Sequence, residues 1–177
     1  MQDPLSVSGA ALATGGNPEL ADWQSVPAGV IARVARDQHV SEEFIRAGLR
    51  AGNIIVMGDE TGRTRPVGIG TGLRTKINAN LGTSEDYPSL DDELRKLEVA
   101  VHTGADAVMD LSTGGDIDGI RRAIRRECPV ALGTVPIYQA AAEADEKFGS
   151  FNGMTGDLLL DVIERHAADG VDFQTLH

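Results

Sequence analysis

Four short runs of the sequence bring amides, hydroxyls and glycine together where an apolar stretch gives way to a polar one. They are Asn78-Ala79-Asn80-Leu81-Gly82-Thr83-Ser84, Met109-Asp110-Leu111-Ser112-Thr113-Gly114-Gly115-Asp116, Gly133-Thr134-Val135-Pro136-Ile137-Tyr138-Gln139 and Thr175-Leu176-His177. Such side chains donate and accept hydrogen bonds without carrying charge, and glycine uncovers backbone N–H groups. The set suits a neutral polar ligand, or a phosphate held by main-chain donors. It does not suit a hydrolase, because no pattern places an activating base near Ser84 or Ser112. The loop Ser112-Thr113-Gly114-Gly115-Asp116 is neither a P-loop nor a dinucleotide fingerprint. By itself it reads equally well as a tight turn into a helix.

The elements that must position these runs are legible from spacing. Beyond Gly72 the chain alternates a short apolar strand, a polar or Gly-rich loop and a helix, the order of parallel βα units. Strands are predicted at Lys76 to Leu81, Ala107 to Leu111, Val130 to Val135 and Val171 to Leu176, each largely apolar as a strand covered on both faces should be. Leu90, Leu94, Leu97 and Val101 recur at helical spacing behind Ser89, a capping residue. Asp116 can cap a helix carrying Ile117, Ile120 and Ile124, with Arg121, Arg122, Arg125 and Arg126 read as mostly a solvated face. Thr155 caps the last helix, carrying Leu158, Leu159, Val162 and Ile163 and ending at Gly170. His39, His102 and His166 are read as surface residues. Asp110, Thr113 and Asp116 are read as capping or supporting groups. In this architecture ligands bind at the C-terminal ends of the strands, where the four runs fall.

The expected fold class is α/β: the first half of an eight-stranded (β/α) TIM-type barrel preceded by a small helical N-terminal segment. Residues 1–25, rich in Gly, Ala, Pro and Ser, are expected to form a flexible arm. Residues 26–65 form the helical segment, with helices from Pro27 and from an N-cap at Ser41, and a brief extended run at Asn53 to Met57. Residues 66–177 supply four strands, and the chain is expected to be cut there. An open sheet is the competing architecture, but it needs a point where strand order reverses.

Composition limits the chemistry. The net charge of -11 argues against tracking a nucleic-acid backbone, which needs a basic face. It fits either a salt-rich setting or simply a solvated acidic surface. No stretch approaches the roughly 18 apolar residues of a membrane span, and no signal peptide is evident, so a cytoplasmic location is expected. The one cysteine, Cys128, cannot form an internal disulfide or supply a thiolate cluster alone.

Taken together, the blocks are more specific than any one of them. Pro66 to His177 resembles the phosphomethylpyrimidine synthase (ThiC) family of thiamin biosynthesis, on Val67-Gly68-Ile69-Gly70, Leu73-Arg74-Thr75-Lys76 running into the Asn78 block, Gly104-Ala105-Asp106-Ala107-Val108 running into the Met109 block, Gly133 to Gln139, and Gly170-Val171-Asp172-Phe173-Gln174-Thr175-Leu176-His177. Residues 27–56 resemble the segment preceding the barrel more loosely.

The resemblance implies conversion of 5-aminoimidazole ribonucleotide to 4-amino-5-hydroxymethyl-2-methylpyrimidine phosphate by radical chemistry. It implies S-adenosylmethionine, a 4Fe-4S cluster and zinc as cofactors of the full-length protein, and a homodimer. Carried over residue by residue, substrate contacts fall on Asn80, Met109, Tyr138 and His177. No catalytic or metal-ligating residue is carried over, since the three-cysteine motif and the zinc histidines have no counterpart here, and the chain alone is expected to be inactive. Without the resemblance, Asn80 also suits a turn, Met109 plain core filling, Tyr138 a loop anchor and His177 a frayed end. Two other readings stay open: a part of 5-hydroxybenzimidazole synthase, which uses the same ribonucleotide, and a non-catalytic half-barrel that binds a phosphosugar or a partner.

Overall fold

The computed structural model describes residues 25–58 and 61–176. The arm expected over 1–25 lies, but for its last residue, outside them, as does His177.

Helix α1, Ala28–Gln38, buries Val30, Ile31, Val34 and Ala35 and ends at His39 in the left-handed region. Helix α2, Glu42–Ala51, begins where the Ser41 hydroxyl accepts the Phe44 N–H at 3.1 Å. Acidic Glu42 and Glu43 sit in its first turn, where the helix dipole favours them. Strands β1, Ile54–Met57, and β2, Val67–Gly70, then pair antiparallel. Ile31, Val34, Ala35, Ile45 and Ile54 form a small core among these elements. The extended run read at Asn53 to Met57 is thus half of a hairpin whose other half, the Val67 block, carried no strand assignment.

The larger unit is α/β. Strands β3 (Asn78–Leu81), β4 (Ala107–Asp110), β5 (Ala131–Thr134) and β6 (Phe173–Gln174) form a parallel sheet in the order β3-β4-β5-β6, with no reversal. Each falls inside a strand read from the sequence. Helices α3 (Leu90–His102), α4 (Ile117–Glu127) and α6 (Gly156–Ala168) start at the predicted caps: Ser89, Asp116 and Thr155 accept from Asp92, Gly119 and Leu158 N–H groups. None of the described helices is long and apolar enough to cross a membrane.

The sheet has two unlike faces because successive side chains alternate. Leu81, Val108, Val130 and Leu132 pack against Leu97, Ile120 and Ile124 of the helices. Each such burial contributes about 1.5–3 kcal/mol, and Leu132→Ala is expected to cost about 2–5 kcal/mol. On the opposite face, small Ala107 and Ala131 let Val67 of the hairpin close over the N-terminal part of the strands, with Met57 and Phe173 at the margin. The C-terminal half of that face carries Asn80, Met109 and Gly133.

Three readings are corrected. A further helix, α5 (Pro136–Phe148), lies between β5 and β6, followed by a 3-10 turn at Phe151–Gly153. Pro136 opens it, where a missing N–H costs nothing, so Tyr138 lies in a first helical turn rather than a loop. Of the four arginines read as a solvated face, Arg121 and Arg125 are buried, at 1% and 3% exposure, because aspartates from the α6–β6 connection reach them. His166 is likewise buried, at 3%, not on the surface.

Candidate functional site at the strand ends

Register fixes which residues share the open face. Asn80 pairs with Met109, Met109 with Gly133 and Gly133 with Phe173, so these four make one row across the sheet. Asn78, two residues before Asn80, donates from its amide to Asn80 Oδ1 at 3.0 Å. Asn80 is exposed and Met109 half-buried. Gly133 is required by its neighbour, since a Cβ there would sit 2.2 Å from the Phe173 ring. The row is therefore uncharged and runs from amide to thioether to aromatic. It can hydrogen-bond a polar heterocycle at one end and contact its faces at the other.

The loops above the row interlock. Thr83 N–H donates to Ser112 Oγ at 3.1 Å, Thr83 Oγ1 donates to the Gly114 carbonyl at 2.7 Å, and Thr113 N–H donates to the Thr83 carbonyl at 2.9 Å. Gly114 permits this approach, because a Cβ would lie 2.3 Å from the Glu85 backbone. Asp110 Oδ1 takes the Ser112 N–H at 3.0 Å and the Ser112 hydroxyl at 2.5 Å. Burial raises the Asp110 pKa, with the Ser112 bonds and Arg121 opposing. Ser112 is thus a buried structural hydroxyl. Fully buried Glu93 holds the Gly82 N–H at 2.7 Å and pairs with Lys96 at 2.6 Å. A hollow of about 410 Å³ beside these loops is lined by Glu85, Asp116, Asp118 and Glu143 among others, a setting that repels phosphate.

Behind β5 lies a polar cluster that the sequence did not disclose. Gln139 Oε1 accepts from Arg121 at 2.7 Å and lies 2.8 Å from His166 Nε2, while Gln139 Nε2 donates to Asp118 and Glu143, both at 2.8 Å. His166 Nδ1 lies 2.8 Å from Thr134 Oγ1. Arg121 also donates to Asp169 and Asp118, and Arg165 to Asp118 and Glu143. Burial works to raise the Asp118 pKa, but Gln139, Arg121 and Arg165 hold it down to about 2. Burial, helped by the charges of Arg121 and Arg165, pushes His166 down to about 4. Of the cluster's members, Thr134 and Gln139 belong to a motif noted in the sequence, and the others to none.

Of the four residues expected to touch ligand, Asn80 and Met109 stand side by side. Tyr138, 39% exposed, follows the C-terminal end of β5 in the first turn of α5. His177 lies outside the described residues.

A parallel βα unit with an uncharged row of one amide and otherwise apolar residues at its strand ends is a small-ligand-binding type of scaffold. Comparison with known proteins gives the family: residues 23–177 match the radical SAM ThiC family, and the chain belongs to it. It is 52% identical over 162 residues to a phosphomethylpyrimidine synthase of Desulforudis audaxviator, covering 91% of this chain and 38% of that protein. It is 51% identical over 154 residues to one of Carboxydothermus hydrogenoformans, covering 84% of this chain and 36% of that protein. With one of Moorella thermoacetica it shares 53% over 146 residues, 82% of this chain and 34% of that protein. The chain thus spans little more than a third of the length of these relatives.

Proposed function

We propose that this chain is part of a phosphomethylpyrimidine synthase and forms one wall of the pocket for 5-aminoimidazole ribonucleotide. The single observation that carries the reading is the row in which Asn80 and Met109 are register partners at the strand ends, in a chain of the family whose relatives bear that name. Four parallel strands in sequence order, with helices on one face and the uncharged row on the other, support the first half of a (β/α)8 barrel. Asn80 hydrogen-bonds the ring or ribose, Met109 lies against the ring, and Tyr138 and His177 bond the ribose or phosphate. The product is 4-amino-5-hydroxymethyl-2-methylpyrimidine phosphate.

In such a radical SAM enzyme, a 4Fe-4S cluster supplies the electron that cleaves S-adenosylmethionine. The residues of this chain do not fit that cluster, which needs three thiolates. Its one cysteine is buried, donates to the Val130 carbonyl at 3.1 Å, and has its pKa raised by burial. Among the described residues no group of three His, Cys, Asp or Glu is placed to hold a metal ion either, so zinc finds no ligand set in them. The part played by this chain is to bind and orient the ribonucleotide and to shield one side of it from water.

The test uses a protein of the relatives' full length that carries this sequence, reconstituted with iron and sulfide without oxygen. It is expected to form 5′-deoxyadenosine only when the ribonucleotide is present, and Asn80→Ala is expected to lose most of that ribonucleotide-triggered product. Equal 5′-deoxyadenosine with and without ribonucleotide would overturn the reading.

A further inference from the structure

The residue after Tyr138 has no freedom of its own. Asp118 and Glu143 only accept near Gln139 and Arg121 only donates, so the Gln139 amide has one possible orientation: oxygen toward Arg121, nitrogen toward the carboxylates. His166 Nε2, facing that same oxygen, must then carry the proton and donate. The neutral imidazole leaves Nδ1 as the acceptor for the Thr134 hydroxyl. All four hydrogen-bonding places of the Gln139 amide are filled, from three helices. Thr134 closes the circuit to the last residue of β5.

This circuit spans the joint that Tyr138 sits on. Val135, the residue before α5, caps it with no side chain, and α5 has no acidic residue in its first turn. The start of the helix is therefore held by the Gln139 side chain on one flank and by Thr134 on the other. Tyr138 lies next to Gln139 in the same first turn and is 39% exposed.

We propose that Gln139, fixed by Arg121 and by the Nε2–H form of His166, is a positioning residue that aims Tyr138 at the ligand from the C-terminal end of β5. The unit touches no ligand itself; it acts by setting one direction for the first turn of α5. The role in ligand binding rests on the ribonucleotide reading above.

The chain has two tyrosines, Tyr87 and Tyr138, so 3-fluorotyrosine labelling gives two fluorine resonances, assigned by Tyr87→Phe. Gln139→Leu is expected to shift or broaden the Tyr138 resonance, leave that of Tyr87 in place, and weaken ribonucleotide binding at least about tenfold. Because Gln139→Leu takes one partner each from the buried Arg121 and the half-buried Asp118 and Glu143 and can fail to fold, a second pair is read in parallel. His166→Phe should disturb Tyr138, and His166→Gln, which keeps a neutral donor toward Gln139, should restore it. A Tyr138 resonance unmoved in folded Gln139→Leu or His166→Phe would overturn the positioning role. A moved resonance with unchanged affinity in Gln139→Leu, Tyr138→Phe and Asn80→Ala alike would instead overturn the ribonucleotide reading.

Discussion

The Phe173 ring lies so close over Gly133 that a methyl group at Gly133 would be 2.2 Å from it. The two are register partners on β5 and β6, and their contact closes one end of the row begun by Asn80. The shortest described strand is thereby tied to the sheet by an aromatic face as well as by backbone bonds. Gly133→Ala is expected to cost about 1–3 kcal/mol by overpacking. In the Phe173→Ala background the same change should cost far less, so a double-mutant cycle by urea unfolding should give a strong coupling. Additive costs would mean that the ring does not rest on Gly133.

Arg121 presents a second test. It is buried with Asp118 and Asp169 as partners, and replacing it by alanine leaves both carboxylates without their main cation. Asp118 keeps Arg165 and both carboxylates are part-exposed, so a loss of about 2–3 kcal/mol is expected, below that of a fully buried pair. Lysine should recover little, because one ammonium cannot reproduce the three-sided fork to Gln139, Asp118 and Asp169. Denaturant midpoints of the two variants check this.

The acid limb of the stability curve should carry a histidine signature. His166 titrates near 6.5 when unfolded and at about 4 when folded, because burial and the flanking Arg121 and Arg165 disfavour its charge more than Asp118 and Asp169 favour it. Between those values the unfolded chain binds the extra proton, so stability falls as pH drops from about 6.5 to 4, by roughly 3 kcal/mol. Asp118, depressed to about 2, adds a further loss only below about pH 4, its unfolded value. Asp110, whose pKa is raised, works in the opposite direction. Urea unfolding across this range should show a flatter curve for His166→Gln between pH 4 and 6.5.

Cys128 should be chemically quiet. It is 2% exposed and burial raises its pKa, so little thiolate meets solvent. Labelling by a thiol reagent at pH 7 is expected to follow the rate of unfolding. Fast labelling in the native state would show that the end of α4 opens locally.

The strands and caps were readable because their causes are local. Ser41, Ser89, Asp116 and Thr155 each bond an N–H three residues on, and short apolar runs set the four parallel strands. Asn80 and Met109 could be placed at strand ends for the same reason. Helix α5 has a local signal too, proline at the first helical position ahead of Ala140, Ala141 and Ala142, but a proline after Val135 fits a loop equally well on spacing alone. The burial of Arg121, Arg125 and His166 had no local cause. Arg121 and Arg125 meet aspartates 48 and 47 residues away, and His166 meets Thr134 32 residues away. Such pairings follow from how helices stack on the sheet, and helical spacing alone gives an arginine the same solvated reading in either case.

In the proposed function, the row from Asn80 through Met109 and the first turn of α5 together form a ribonucleotide wall. The most direct test is titration of the chain with 5-aminoimidazole ribonucleotide while its backbone amide resonances are followed. Saturable shifts are expected in residues 78–84, 109–115 and 133–139, with weak affinity of about 1 mM since only one wall is present, and with Asn80→Ala abolishing them. Shifts confined to the hairpin or the outer helix faces, or an affinity unchanged by Asn80→Ala, would contradict it.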